Sequence, residues 1–211
     1  MVDQVDNSVR RAGFRRMRDG TEADYALIEA AERAYFAKLP ERVLGAVAAL
    51  AAEGLDGYPV DRTEHSLQSA TRALRDGRDT DYVVAALVHD IGDPLAPFSH
   101  GRLAASVLRP FVSARLFWIV EHHPVFQTHY YAPHLGVSGD ERERYRGHPW
   151  FADTVEFCER YDENCFDADY PSLPLEHFAP MVREVFGRTP SFPEVPESGS
   201  APASGQDTRS G

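Results

Sequence analysis

Lysine is all but missing from this chain: Lys38 is the single one, and arginine carries the positive charge. Cations are also outnumbered, 22 Lys and Arg against 33 Asp and Glu, for a formal net charge of −11. That balance excludes a general nucleic-acid or anionic-membrane surface, both of which select a basic excess. Long apolar runs are absent too. None reaches the roughly 20 residues that a bilayer span requires, and the basic stretch from Arg10 to Arg18 is followed by no apolar region of the signal-peptide kind. We therefore expect no membrane and no nucleic acid among the partners. Only two cysteines occur, Cys158 and Cys165, seven residues apart on what reads as one helix and its exit. At about 1.5 Å rise per residue a continuing helix would hold them too far apart to bridge. Free core thiols follow, and with them a cytoplasmic location. Sustained alternation at period two is also lacking, which excludes appreciable sheet.

What remains is a helical pattern in a chain of 211 residues, long enough for one domain with a sizeable core. Residues 1–20 are polar and basic and read as a flexible arm. Thr21 is a plausible N-cap for an amphipathic helix to about Lys38. Pro40 opens a second helix that runs to the break at Gly54 and Gly57. A third holds His65, Gln68 and Arg72 and ends at Gly77. Thr80 caps a fourth that delivers His89 and Asp90. Ser99 caps a fifth beginning with His100, and Ser113 a sixth running through Trp118 to His122 and His123. A seventh spans Pro149 to Asp162, and a last one Pro174 to Phe186. From Pro190 onward apolar residues give way to Pro, Ser and Gly, which reads as a disordered tail. The domain is thus expected over 21–189, with the tail over 190–211 and an all-α class.

The stretch from Tyr82 to His100 carries the chemistry. An apolar run ends in His89 and Asp90 side by side, and a buried carboxylate without compensation costs several kcal/mol. A divalent metal is a common compensation. Further candidate ligands are His65, His100, His122 or His123, and Asp162. Four imidazoles and two carboxylates suit iron, manganese, zinc or cobalt better than calcium or magnesium. Asp90 stands mid-list and is the natural bridge between two ions about 3.5–4 Å apart. On a regular helix His122 and His123 point about 100° apart, so only one can ligate.

His65, then His89-Asp90, then Asp162 resembles the pattern of the HD-domain superfamily, an all-helical metal-binding fold, over about residues 40–187. The additional His100 and His122 resemble its binuclear branch, and the resemblance favours His122 over His123 as ligand. That branch contains metal-dependent phosphohydrolases and mixed-valent di-iron oxygenases, among them myo-inositol oxygenase and 2-amino-1-hydroxyethylphosphonate dioxygenase. Gln68 one turn beyond His65, and the run Arg160-Tyr161-Asp162, resemble the phosphonate-cleaving oxygenases. The resemblance implies two iron ions (Fe2+/Fe3+), O2 as co-substrate, and a small hydroxylated substrate cleaved at a C–C or C–P bond. Asp93 stands where relatives carry lysine or histidine. A carboxylate there would repel a phosphate by about 4 kcal/mol at 4 Å and an effective dielectric near 20, and would instead suit an ammonium or hydroxyl. Capping of the turn before Pro94 is the plainer role for it. Gln127 stands where the phosphonate oxygenase has its phosphonate-binding lysine. Gln68, Asp93, His123, Gln127 and Arg160 are the expected substrate contacts. A phosphohydrolase is the alternative, and a non-catalytic HD-type binding protein a third reading.

Overall fold

The computed structural model describes residues 10–53 and 57–196. Among them stand eight α-helices and no strand, so the class is all-α. Residues 1–9 and 197–211, the outer parts of the expected arm and tail, lie outside the described residues.

Helix α1 (Glu22–Phe36) begins at a capping box. The Thr21 hydroxyl accepts the Asp24 amide at 3.2 Å while the Asp24 carboxylate accepts the Thr21 amide at 3.0 Å. None of its residues is buried. The arm folds back on it, with Phe14 stacked on Tyr25 at 5.7 Å and the Gly13 amide donating to Asp24. Helix α2 (Leu39–Ala49) carries Pro40 in its first turn, where a missing N–H costs nothing.

Helix α3 (Arg62–Arg75) is capped by Asp61 and stops where Gly77, at φ +75°, turns the chain in the left-handed region. Helix α4 (Thr80–Val88) is the centre of the molecule. Its residues Tyr82 to Val88 are all buried, as a helix apolar on every side requires, and it packs against α2, α3, α6 and α8. Its cap is Asp79, whose carboxylate accepts the Tyr82 amide at 2.8 Å, and not Thr80, which is the first helical residue.

Helix α5 (His100–Leu108) follows Ser99, whose side chain makes no capping bond. Helix α6 (Ala114–Tyr131) is capped by Ser113 as expected but does not end at the histidine pair; it passes through Pro124 for two more turns. Helices α7 (Phe151–Tyr161) and α8 (Leu175–Phe186) complete the bundle. Beyond α8 the chain differs from the expected tail. Ser191 donates its amide to the Pro110 carbonyl at 2.7 Å, and Val195 packs on the core, so residues 190–196 lie along the body. Both cysteines are free and buried, and burial pushes both thiols up. No helix among the described residues is long and apolar enough to cross a membrane.

Candidate metal centre

Four helices and one loop bring six side chains together. His65 lies on α3, and His89 and Asp90 follow the last turn of α4. His100 opens α5, His123 sits mid-way along α6, and Asp162 ends α7. Three of the imidazoles are oriented by backbone. His65 Nδ1 donates to the Cys165 carbonyl at 3.1 Å, His89 Nδ1 to Ala86 at 2.7 Å and His123 Nδ1 to Val120 at 2.7 Å. The carbonyls are available for a physical reason. Ala86 lies in the last turn of α4, where carbonyls lose their intrahelical donors. Val120 stands four residues before Pro124, whose ring nitrogen has no hydrogen to give.

With a proton on Nδ1, each ring turns a lone pair at Nε2 inward. The Nε2 atoms of His65 and His89 stand 3.1 Å apart. Asp162 Oδ1 is 3.4 Å from the first and 3.8 Å from the second, and its Oδ2 is buried with no hydrogen-bond partner. Asp90 divides itself. Its Oδ2 lies 3.5 Å from both His65 and His89, and its Oδ1 lies 3.2 Å from His123 Nε2 and 3.4 Å from His100 Nε2. Facing lone pairs and an orphaned buried carboxylate oxygen are the donor set of a cation site, so the residues present fit metal.

Electrostatics agree. Burial opposes ionisation of Asp90, but His89, His123 and His65 outweigh it and hold the carboxyl well below its usual range; Asp162 is lowered likewise. Burial also opposes charge on His89, yet Asp90 and Asp162 push it up to about 9 from 6.5. In the metal-free chain His89 therefore keeps a second proton, on Nε2, which a metal ion would displace to reach the lone pair there. A raised pKa stabilises the fold fully below the unfolded value near 6.5, and that contribution is lost as pH climbs through about 9. The chelated protein is expected to lose melting temperature across that window, and the metal-loaded protein to lose much less. Melting curves over about pH 6–10 check this; a flat curve for the chelated form would contradict it.

Residues 62–149 match the HD domain family. The matched span holds five of the six clustered side chains and stops before Asp162. Among curated proteins the chain is similar to a [1-hydroxy-2-(trimethylamino)ethyl]phosphonate dioxygenase (glycine-betaine-forming) of Leisingera caerulea. The two are 28% identical over 158 residues, covering 61% of this chain and 81% of the relative. The chain is thus similar over part of its length to the HD domain family and to a dioxygenase.

Around the cluster, three sequence expectations need correction. His122 is not at the cluster. Its ring stacks on Trp118 at 4.1 Å, with His148 stacked on Trp118 at 3.9 Å, and the neighbouring His123 takes the inward position. Arg160 is exposed and pairs with Asp76 at 2.7 Å, while Asp162, which leaves the helix as the C-cap of α7, faces in. Gln68 is fully buried but does not line the cavity. Its amide donates to the Asp167 carbonyl at 2.7 Å and accepts the Asp167 amide at 3.3 Å. On the same face of α3, Ser69 donates to the Tyr161 carbonyl, Arg72 to Asn164 and Arg75 to Pro171. Helix α3 thus fastens the segment that carries Asp162 and the Cys165 carbonyl behind His65. Gln68→Ala is expected to weaken metal binding about 10–100-fold, the usual cost of losing an outer support, with helicity retained. Unchanged affinity by competition with a chelator would refute that role.

Asp93 and Gln127 do line the cavity, which has a volume of about 310 Å³. Gln127 donates to Asp162 Oδ1 at 3.0 Å and leaves its own Oε1 buried and unpartnered. Asp93 pairs with Arg62 and stands 3.0 Å from His100 Nδ1. Tyr58, Tyr131 and Phe166 form an aromatic side, Phe166 packing between Tyr58 at 5.8 Å and His65 at 4.7 Å. Sequence reasoning missed Arg62, Tyr131 and Phe166. Arg62 was within reach, three residues before His65 on one helix face; Phe166 follows a helix end and carried no signal.

Proposed function

We propose that this protein is an HD-domain di-iron oxygenase that uses O2 to oxidise or cleave a small hydroxylated polar substrate. The observation that carries the reading is Asp90, whose two oxygens face two separate pairs of histidines. His65, His89, Asp162 and Asp90 Oδ2 would hold one iron, and His100, His123 and Asp90 Oδ1 the other. Bound there, two iron ions supply the electrons that reduce O2 and a Lewis acid for a substrate hydroxyl. The remaining tasks belong to the chain. Gln127 holds Asp162 and presents a free acceptor, Oε1, to a substrate hydroxyl. Tyr58, Phe166 and Tyr131 exclude water from one side of the cavity. Their ring faces also suit an organic cation, and the relative's substrate contains a trimethylamino group beside its hydroxyl and phosphonate.

Arg62 keeps a second reading open, a metal-dependent phosphohydrolase. Its guanidinium pairs with Asp93, so the repulsion that a lone carboxylate would exert on a phosphate is offset. One experiment separates the two. The protein is loaded anaerobically with iron, its metal counted, its paramagnetic resonance recorded, and O2 uptake followed with a panel of hydroxylated phosphonates that includes the relative's substrate. Two irons per chain with a coupled mixed-valent signal and substrate-dependent O2 uptake support the oxygenase. Turnover of a generic phosphate ester with manganese, cobalt or zinc, and no O2 uptake, overturns it in favour of the hydrolase.

A further inference from the structure

Three of the four clustered imidazoles hang on backbone carbonyls through Nδ1, and one does not. His100 is the imidazole whose Nδ1 faces a side chain, the Asp93 carboxylate at 3.0 Å. We propose that the metal position bounded by His100, His123 and Asp90 Oδ1 is assembled separately from the other, by segment 92–101, with Asp93 as its positioning residue. This rests on the two-metal reading above.

Two glycines bring His100 into place. A Cβ at Gly92 would lie 2.9 Å from the His100 Cα, so the turn after Asp90 touches the start of α5 and a side chain there would push it off. A Cβ at Gly101 would lie 2.8 Å from both the Val120 carbonyl oxygen and Pro124 Cγ, so α5 meets α6 at the carbonyl that orients His123. Asp93 then stands against the ring. Its carboxylate lies 3.0 Å from Nδ1, close to but short of a formed hydrogen bond, while Nε2 faces Asp90 Oδ1 3.4 Å away; a carboxylate behind the ring is the support that orients a metal-binding imidazole. Arg62, in the first turn of α3, pairs with Asp93. Asp93 pairs with Arg62 and His100 and with no member of the His65, His89 and Asp162 half, whose two rings hang on the Cys165 and Ala86 carbonyls. A carboxylate at position 93 therefore governs whether the centre holds one ion or two, which is a different task from binding substrate.

The test is metal stoichiometry and stepwise affinity of the full chain titrated anaerobically with Fe2+, with paramagnetic resonance of the partly oxidised protein. Asp93→Ala is expected to keep the tighter ion at wild-type affinity and weaken the second about 10–100-fold, replacing the coupled signal by that of an isolated iron. Asp93→Asn, which keeps an acceptor without the charge, should fall between. Gly101→Ala, which touches neither Asp93 nor any ligand side chain, should lose the same ion. Two ions at unchanged affinity in Asp93→Ala would overturn the inference, as would parallel weakening of both. A wild-type chain that binds one ion fails the two-metal reading itself, a result the variants cannot produce.

Discussion

Asp90→Ala is expected to leave the protein folded and its centre empty of a metal pair. Each of the two half-sites has one oxygen of this carboxylate, so its removal takes a ligand from both at once. Asp90 also supplies much of the negative charge that offsets the packed imidazoles, being the first of the groups that raise the His89 pKa against its burial. The loss in affinity should exceed the roughly 10–100-fold seen on removing an outer support, and the coupled signal should vanish. Asp90 follows the end of α4, outside its hydrogen-bonded turns, so helix content by circular dichroism should hold. Two ions per chain at wild-type affinity in this variant would remove the bridge from the proposal, and with it the reason for a dinuclear centre.

His123→Ala and His122→Ala should behave as opposites although the two residues adjoin. His123 is buried, with Nδ1 on Val120 and Nε2 3.2 Å from Asp90. Its loss should empty the second metal position, keep the first, and abolish O2-dependent turnover. His122 lies against Trp118 and donates to the Trp118 carbonyl at 2.9 Å. Its loss should keep both ions and cost about 0.5–1.5 kcal/mol of aromatic stacking, read as a small drop in melting temperature. Metal counts on the two purified variants decide it; a His122→Ala protein short of one ion would reverse the assignment.

The helices were legible because their signals are local. Thr21, Pro40, Gly77 and Ser113 act on backbone groups within a turn or two, and the apolar run of α4 announces its own burial. His89 and Asp90 were legible for the same reason, as polar residues closing that run. The aim of a side chain was less so. The identity of His123 as the inward residue depends on a carbonyl freed by Pro124 and on α5 packing close at Gly101. Gln68 looks like a site residue by spacing, yet both its oxygen and its nitrogen bond Asp167, about a hundred residues away.

Asp93 shows the division most clearly. Read along the chain it is a bare negative charge that repels a phosphate and invites an ammonium. In the fold it has two partners, Arg62 from the start of α3 and His100 from the start of α5. By itself the sequence determined that the chain is helical, that it is acidic, and that imidazoles and carboxylates of metal-binding type lie on separate helices, because composition and short-range periodicity suffice for those. Tertiary structure alone decided which of two adjacent histidines faces the carboxylate, which charges are already paired, and that one aspartate looks both ways. Those outcomes depend on distances of 3 to 4 Å between segments far apart in the chain, and no local pattern encodes them.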